Sequence, residues 1–154
     1  MSRPEVELLE GEELLSTAEE VMFRQVTKHM FDGDKLATTA FGPATADAGM
    51  PSFSRSSLVS AQESRDWHTQ NARTPSLGVW GVTAGEVIAS GRYAVDDSGI
   101  PLPAGEKRAP GHCFVDYRGL SKREEREVRG QLYFFAVERG ELPTTETSDD
   151  GHLF

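Results

Sequence analysis

Arg24 stands inside the apolar run Val21-Met22-Phe23-Arg24-Gln25-Val26, and His112 and Asp116 bracket a second run, His112-Cys113-Phe114-Val115-Asp116-Tyr117. Between them lies a hydroxyl-rich stretch, Ser52-Phe53-Ser54-Arg55-Ser56-Ser57. Charged groups seldom enter half-buried strands unless they are paired or functional, so these positions mark where a site would be. A guanidinium lining a cleft holds a carboxylate or phosphate through two parallel donors, which makes Arg24 a candidate anion clamp. Its competing role is a structural ion pair with Asp116 or Glu86. His112 follows Pro110-Gly111 at a junction of loop and strand, where an imidazole can serve as general acid and base. A neighbouring carboxylate would fix its tautomer, but Asp116 is four residues along the same strand, roughly 13 Å away at about 3.3 Å per residue. Ser54 and His68 join Arg24 as ligand-binding candidates. Ser54, Ser56 and Ser57 offer hydroxyls to a ligand or to the start of the next helix. No Gly-x-Ser-x-Gly elbow surrounds them, so that mark of a serine nucleophile is missing.

Other chemistries are poorly supplied. The four histidines, at 29, 68, 112 and 152, share no short ligand spacing. One cysteine cannot build a structural zinc site, so no metal is expected. Ala84-Gly85-Glu86 lacks the glycines of a phosphate loop or dinucleotide fingerprint. Glu86 reads first as the closing partner of a Thr83-x-x-Glu86 capping box. The basic cluster Lys122-Arg123, Arg126, Arg129 is interleaved with Glu124, Glu125 and Glu127. That is an ion-paired helix surface, and it argues against nucleic acid.

These residues need elements to position them. Residues 21–26 alternate as a strand, with Val21, Phe23 and Gln25 on one face and Met22, Arg24 and Val26 on the other. Ser60-x-x-Glu63 opens a helix over about 61–71, with Trp67 turned inward. Leu77–Thr83 is apolar on both faces and reads as a central strand. Further strands fit 91–95 and 112–117, and Ser121-x-x-Glu124 opens a final helix to about 138 with Val128, Leu132 and Phe135 as its stripe. Residues 32–51 and 98–111 read as long loops that would border a site. The expected organisation is an acidic N-terminal segment, 1–20, with an amphipathic helical pattern; an α+β domain, 21–140; and an acidic flexible tail, 141–154. The sheet is expected to be mixed or antiparallel with about four to five strands and two or three packed helices.

Composition bounds the class. A chain of 154 residues suits one domain with an ordinary core. No apolar run approaches the ~20 residues of a spanning helix, so no membrane is expected. The start lacks a basic stretch followed by an apolar one, and Cys113 stands alone, so a cytoplasmic protein is the default. The net charge of −9 is concentrated at the ends. Residues 1–22 carry seven Glu against Arg3, and residues 141–154 carry four acids and no Lys or Arg. Such ends keep a protein soluble or dock it on a partner.

An Arg on the first strand, a Ser-rich extended segment and a later Glu together resemble the Arg–Ser–Glu layout of ADP-ribosyltransferases. Arg24, Ser54 and either Glu86 or Glu63 occupy the matching places. The resemblance covers three isolated positions and no continuous motif. It implies that Arg24 and Ser54 hold NAD while the Glu polarises the ribose. No cofactor is implied otherwise. The leading expectation is a protein-interaction or ligand-binding module whose partner is another protein or a small anionic ligand. The alternative is a small nucleotide-acting group-transfer enzyme with Arg24 as clamp and His112 and Glu86 as catalytic groups.

Overall fold

The computed structural model describes residues 7–147. In chain order its strands and helices are β1 (Glu13–Leu14), β2 (Val21–Val26), β3 (Phe31–Asp32), β4 (Lys35–Leu36), β5 (Ser52–Arg55), α1 (Ala61–Asn71), β6 (Gly78–Thr83), α2 (Ala84–Ala89), β7 (Ala94–Asp96), β8 (His112–Val115) and α3 (Lys122–Arg139). Six strands form one sheet in the order β1-β7-β8-β5-β2-β6, and every ladder is antiparallel. β3 and β4 form a separate hairpin around Gly33-Asp34, where Gly33 takes a φ of +65°. The α+β class matches the expectation, but the strands are more numerous. The additions are all short: β1, β3 and β4 span two residues each and the Ser-rich β5 spans four.

All three helices begin with a reciprocal capping box. The hydroxyls of Ser60, Thr83 and Ser121 accept from the amides of Glu63, Glu86 and Glu124, whose carboxylates accept from the cap amides in return. Each box satisfies two otherwise orphan donors.

Residues directly opposite in neighbouring strands share a face, and the two faces bury different layers. Met22, Val82, Phe53, Cys113 and Val115 pack with Val87 of α2 and with Val128, Leu132 and Ala136 of α3. On the other face Phe23, Val59 and Val79 form a smaller cluster with Ala61 and Leu142. There α1 packs mainly on β2 and β6. The stripe of α3 thus ends on Ala136, and Phe135 is only half-buried.

Three segments differ from the sequence expectation. Residues 7–20 hold no helix. They make a turn closed by Glu12 N donating to Leu9 O at 3.0 Å, then enter the sheet as β1. Gly11 takes a φ of +94° against the backbone of Gly99, which breaks a helical register there. Residues 32–51 are a packed cover and not a free loop: Phe41 is fully buried, and Tyr117 Oη donates to its carbonyl at 2.7 Å. Within the tail, Leu142 N donates to Val79 O at 2.8 Å and Thr145 N to Gln62 Oε1 at 2.7 Å. Residues 141–147 therefore cover the otherwise open edge of β6. The expectations for residues 1–6 and 148–154 lie outside the described residues.

Two of the N-terminal acids, Glu12 and Glu20, are turned inward. Glu20 bonds Arg55 at 2.9 Å and receives the Ser57 amide and hydroxyl, while Arg55 reaches Asp96 at 2.7 Å. Burial alone would raise the Glu20 pKa, but hydrogen bonds from Arg55 and Ser57 outweigh it and hold the carboxyl below its ordinary value. Asp96 is held down against the same burial cost by Ser98 and Arg55. Carboxyls lowered in the folded state contribute stability above their unfolded pKa of about 4 and lose it as pH falls through the folded value. The urea midpoint is expected to be level from about pH 7 to 5 and to drop below about pH 4. Glu20→Gln should be less stable at neutral pH and show a shallower acid limb; an unchanged limb would remove Glu20 from the cause.

Candidate functional site

A cavity of about 520 Å³ opens where β2 and β5 part. Their ladder joins only Met22 to Arg55 and Phe23 to Ser54. Past it, Arg24 and Gln25 have no strand partner on the β5 side, and the guanidinium of Arg24 enters the gap. Its Nε donates to Ala40 O at 2.6 Å and its Nη1 to Ser52 O at 2.8 Å, and it lies 5.4 Å from the centre of the Phe53 ring. The residue is 8% exposed. Among the described residues no carboxylate lies within ion-pair distance of it, and none accepts from Nη2. The sequence-stated alternatives for a structural pair are both occupied elsewhere: Asp116 binds Arg118 at 2.9 Å and Glu86 binds Arg139 at 2.8 Å. Burial pulls the Arg24 pKa below its ordinary value, with Asp47 opposing the shift. A guanidinium nonetheless stays charged, so this one is a buried cation with no ion-pair partner among the described residues.

Across the cavity, His112 sits in a line of hydrogen bonds. Nδ1 is 2.7 Å from Asp97 Oδ1 and Nε2 is 3.0 Å from Ser52 Oγ. A carboxylate only accepts, so Nδ1 carries the proton; in the neutral ring Nε2 then accepts from the Ser52 hydroxyl. The sheet register explains the meeting. Ser54 faces His112, so Ser52, two residues earlier on the same face, is its diagonal neighbour. The β7–β8 register, Ala94 to Val115 and Val95 to Phe114, brings residue 97 opposite residue 112 when continued. Arg108 Nε lies 3.8 Å from the same Asp97 oxygen.

Ser54 and His68 line the same cavity. Ser54 ends a polar chain: Ser76 Oγ donates to Gln25, Gln25 Nε2 to Ser64, and Ser64 Oγ to Ser54. With Ser64 donating, Ser54 keeps its own hydroxyl hydrogen. His68 Nε2 lies 2.9 Å from Thr74 O, and since a carbonyl only accepts, Nε2 bears the proton. Burial, with a smaller contribution from the charge of Arg24, lowers the His68 pKa. Arg24, Ser54, His68 and His112 are therefore brought together. Glu86 and Glu63 are not: Glu86 caps α2 and pairs with Arg139, and Glu63 caps α1. The three positions of the Arg–Ser–Glu layout do not converge. Cys113 faces the core, where burial raises its thiol pKa well out of the nucleophilic range.

Sequence reasoning missed Ser52 and Asp97, along with the apolar wall of Phe23, Met30 and Trp67 and the rim cations Lys107 and Arg108. Strand alternation links Ser52 to Ser54, and treating 91–117 as a hairpin with a long loop would have linked Asp97 to His112. Among the described residues, no group of three or more His, Cys, Asp and Glu side chains is placed to hold a metal, and no helix is long and apolar enough to cross a membrane. The sequence matches no protein-family model, and searches of curated proteins and of solved structures return no match.

The geometry makes a prediction for His68. Its ring is expected to titrate below the usual pKa of about 6.5 in an NMR titration, and Arg24→Gln should move that midpoint upward by removing a nearby positive charge. A midpoint that stays put in the variant would separate the two residues electrically.

Proposed function

We propose that this protein is a ligand-binding module whose cavity takes a small molecule bearing an anionic group and an apolar or planar body, a nucleotide being the class that fits best. The observation that carries the reading is Arg24: a buried guanidinium with two donors committed to carbonyls and, among the described residues, no partner on its third nitrogen and no carboxylate paired with it. Burying an unpaired charge costs several kcal/mol, and an anion arriving at Nη2 offsets part of that cost. The lining is consistent with this ligand. Arg24, Lys107 and Arg108 outnumber Asp47 and Asp97, and Phe23, Met30 and Trp67 supply an apolar wall. A volume of about 520 Å³ lies within the range of small-molecule sites.

A second reading, group transfer on such a ligand, is favoured by the hydrogen-bonded pair of His112 and Asp97 beside the cavity. A histidine oriented by a carboxylate is the usual arrangement of a general base.

Thermal melting in the presence of inorganic phosphate, mononucleotides and NAD tests the binding. At a hundred times its dissociation constant a ligand adds about 2.7 kcal/mol, a shift of roughly 5–10 °C for a chain of this size. Arg24→Gln, each shift being measured against the variant's own ligand-free melt, should weaken binding about ten- to a hundredfold, the worth of a charged hydrogen bond. Equal shifts in wild type and variant would sink the clamp.

A further inference from the structure

We propose that Ser52, His112 and Asp97 form a nucleophilic triad that cleaves an ester of the anion-bearing molecule; the substrate class rests on the binding reading above. Three observations meet at this point. Ser52 Oγ, His112 Nε2, His112 Nδ1 and Asp97 Oδ1 form one continuous line with contacts of 3.0 and 2.7 Å. All three residues line the cavity that Arg24 lines. Ser52 is exposed, as an attacking hydroxyl must be, while both His112 and Asp97 are largely buried at 17% and 19% side-chain exposure and so hold their geometry. The triad is recognised by geometry and roles, and the missing Gly-x-Ser-x-Gly turn concerns one fold's way of presenting the serine. Here a strand start presents it, and Arg24 grips the carbonyl of the same residue.

The chemistry closes on these groups. Ser52 Oγ attacks the carbonyl carbon of the ester as its proton passes to His112 Nε2, and the imidazolium is stabilised by Asp97 at Nδ1. Collapse of the tetrahedral intermediate breaks the bond to the alcohol oxygen, which leaves with the proton from Nε2, and the acyl group stays on Ser52. Water gives a proton to Nε2 and attacks the acyl carbon; the carboxylic acid departs and Ser52 recovers its hydrogen. The sum is ester plus water giving acid plus alcohol, with no oxidant, reductant or further reactant.

A fluorophosphonate probe followed by peptide mass spectrometry tests the nucleophile on the wild-type protein directly. Hydrolysis of p-nitrophenyl acetate and mono-p-nitrophenyl succinate tests turnover and charge preference. The expected result is an adduct on Ser52, absent in Ser52→Ala and slowed at least a hundredfold in His112→Gln. Turnover should fall at least a hundredfold in Ser52→Ala, His112→Gln and Asp97→Asn, and stay level in Ser56→Ala, with folding of each checked by its melt. Arg24→Gln should lower kcat/KM for the succinate half-ester at least tenfold more than for the acetate. A folded wild-type protein that binds phosphate or nucleotides through Arg24 yet forms no Ser52 adduct would overturn the triad and leave the binding reading standing. So would equal labelling in His112→Gln. A Ser52 adduct with turnover, but no preference for the succinate and no anion-dependent melt, would support the triad and overturn the anionic substrate.

Discussion

The arrangement around the cavity depends on one buried charge. Arg24 occupies a strand position that alternation assigns to the α3 side of the sheet, where its neighbours Met22 and Val26 are fully buried. A guanidinium placed there loses several kcal/mol of hydration. The loss is partly offset by two carbonyls and an aromatic face, and those partners come from two separate places: Ala40 in the cover segment, and Ser52 and Phe53 at the start of β5. One side chain therefore ties the cover segment to the sheet and sets where β5 begins. Because Arg24 fills the space where the β2–β5 ladder would have continued, the strands part and the cavity exists.

That parting also decides which strand residues can meet a ligand. In the body of an antiparallel sheet, side chains on either face are covered by packed helices, as they are for Cys113 and Val115. At the strand starts no helix covers them. Ser52 begins β5, His112 begins β8, and Asp97 directly follows β7. Register along one face of the sheet places His112 opposite residue 97 and diagonal to Ser52, so residues 60 and 15 positions apart in the chain become hydrogen-bonded neighbours. Arg108, in the long β7–β8 connection, donates to the carbonyls of Ser98 and Ile100 and so fixes the loop that carries Asp97.

This explains which parts were legible in the chain and which were not. Local rules spoke clearly where local forces decide the outcome. The alternation of Val21–Val26 and the Ser60, Thr83 and Ser121 capping boxes each depend on residues within a few positions, and each appears as read. Arg24, Ser54, His68 and His112 could be nominated because polar groups in or near strands are unusual wherever they occur. Ser52 and Asp97 could not be distinguished in the same way, since their significance comes from register between strands. The N-terminal helix failed for a related reason. Leu8, Leu9, Leu14 and Leu15 have helical spacing, but the close approach of Gly11 to Gly99 and the ion pair of Glu12 with Arg118 are distant contacts that outweigh a weak amphipathic pattern. Glu86 had two local readings, and the capping one prevailed because Arg139 arrives from α3 to neutralise it.

Charge adds a final constraint on what the cavity can accept. The molecule carries −9 overall, so an approaching anion is repelled at long range. At physiological ionic strength that repulsion fades over about 8 Å. Two of the N-terminal acids are in any case spent internally, Glu12 on Arg118 and Glu20 on Arg55. Within the cavity the balance reverses: Asp97 is engaged by His112 and Arg108, Asp47 accepts the Ala44 amide, and Arg24 and Lys107 have no carboxylate partner within ion-pair distance among the described residues. An anion that reaches the rim thus passes from a repelling surface into a small cationic pocket of low polarity, where attraction is screened far less. On the binding reading proposed above, discrimination would arise from that short final step and favour a ligand compact enough to bring its charge to Arg24 while its body rests on Trp67 and Phe23.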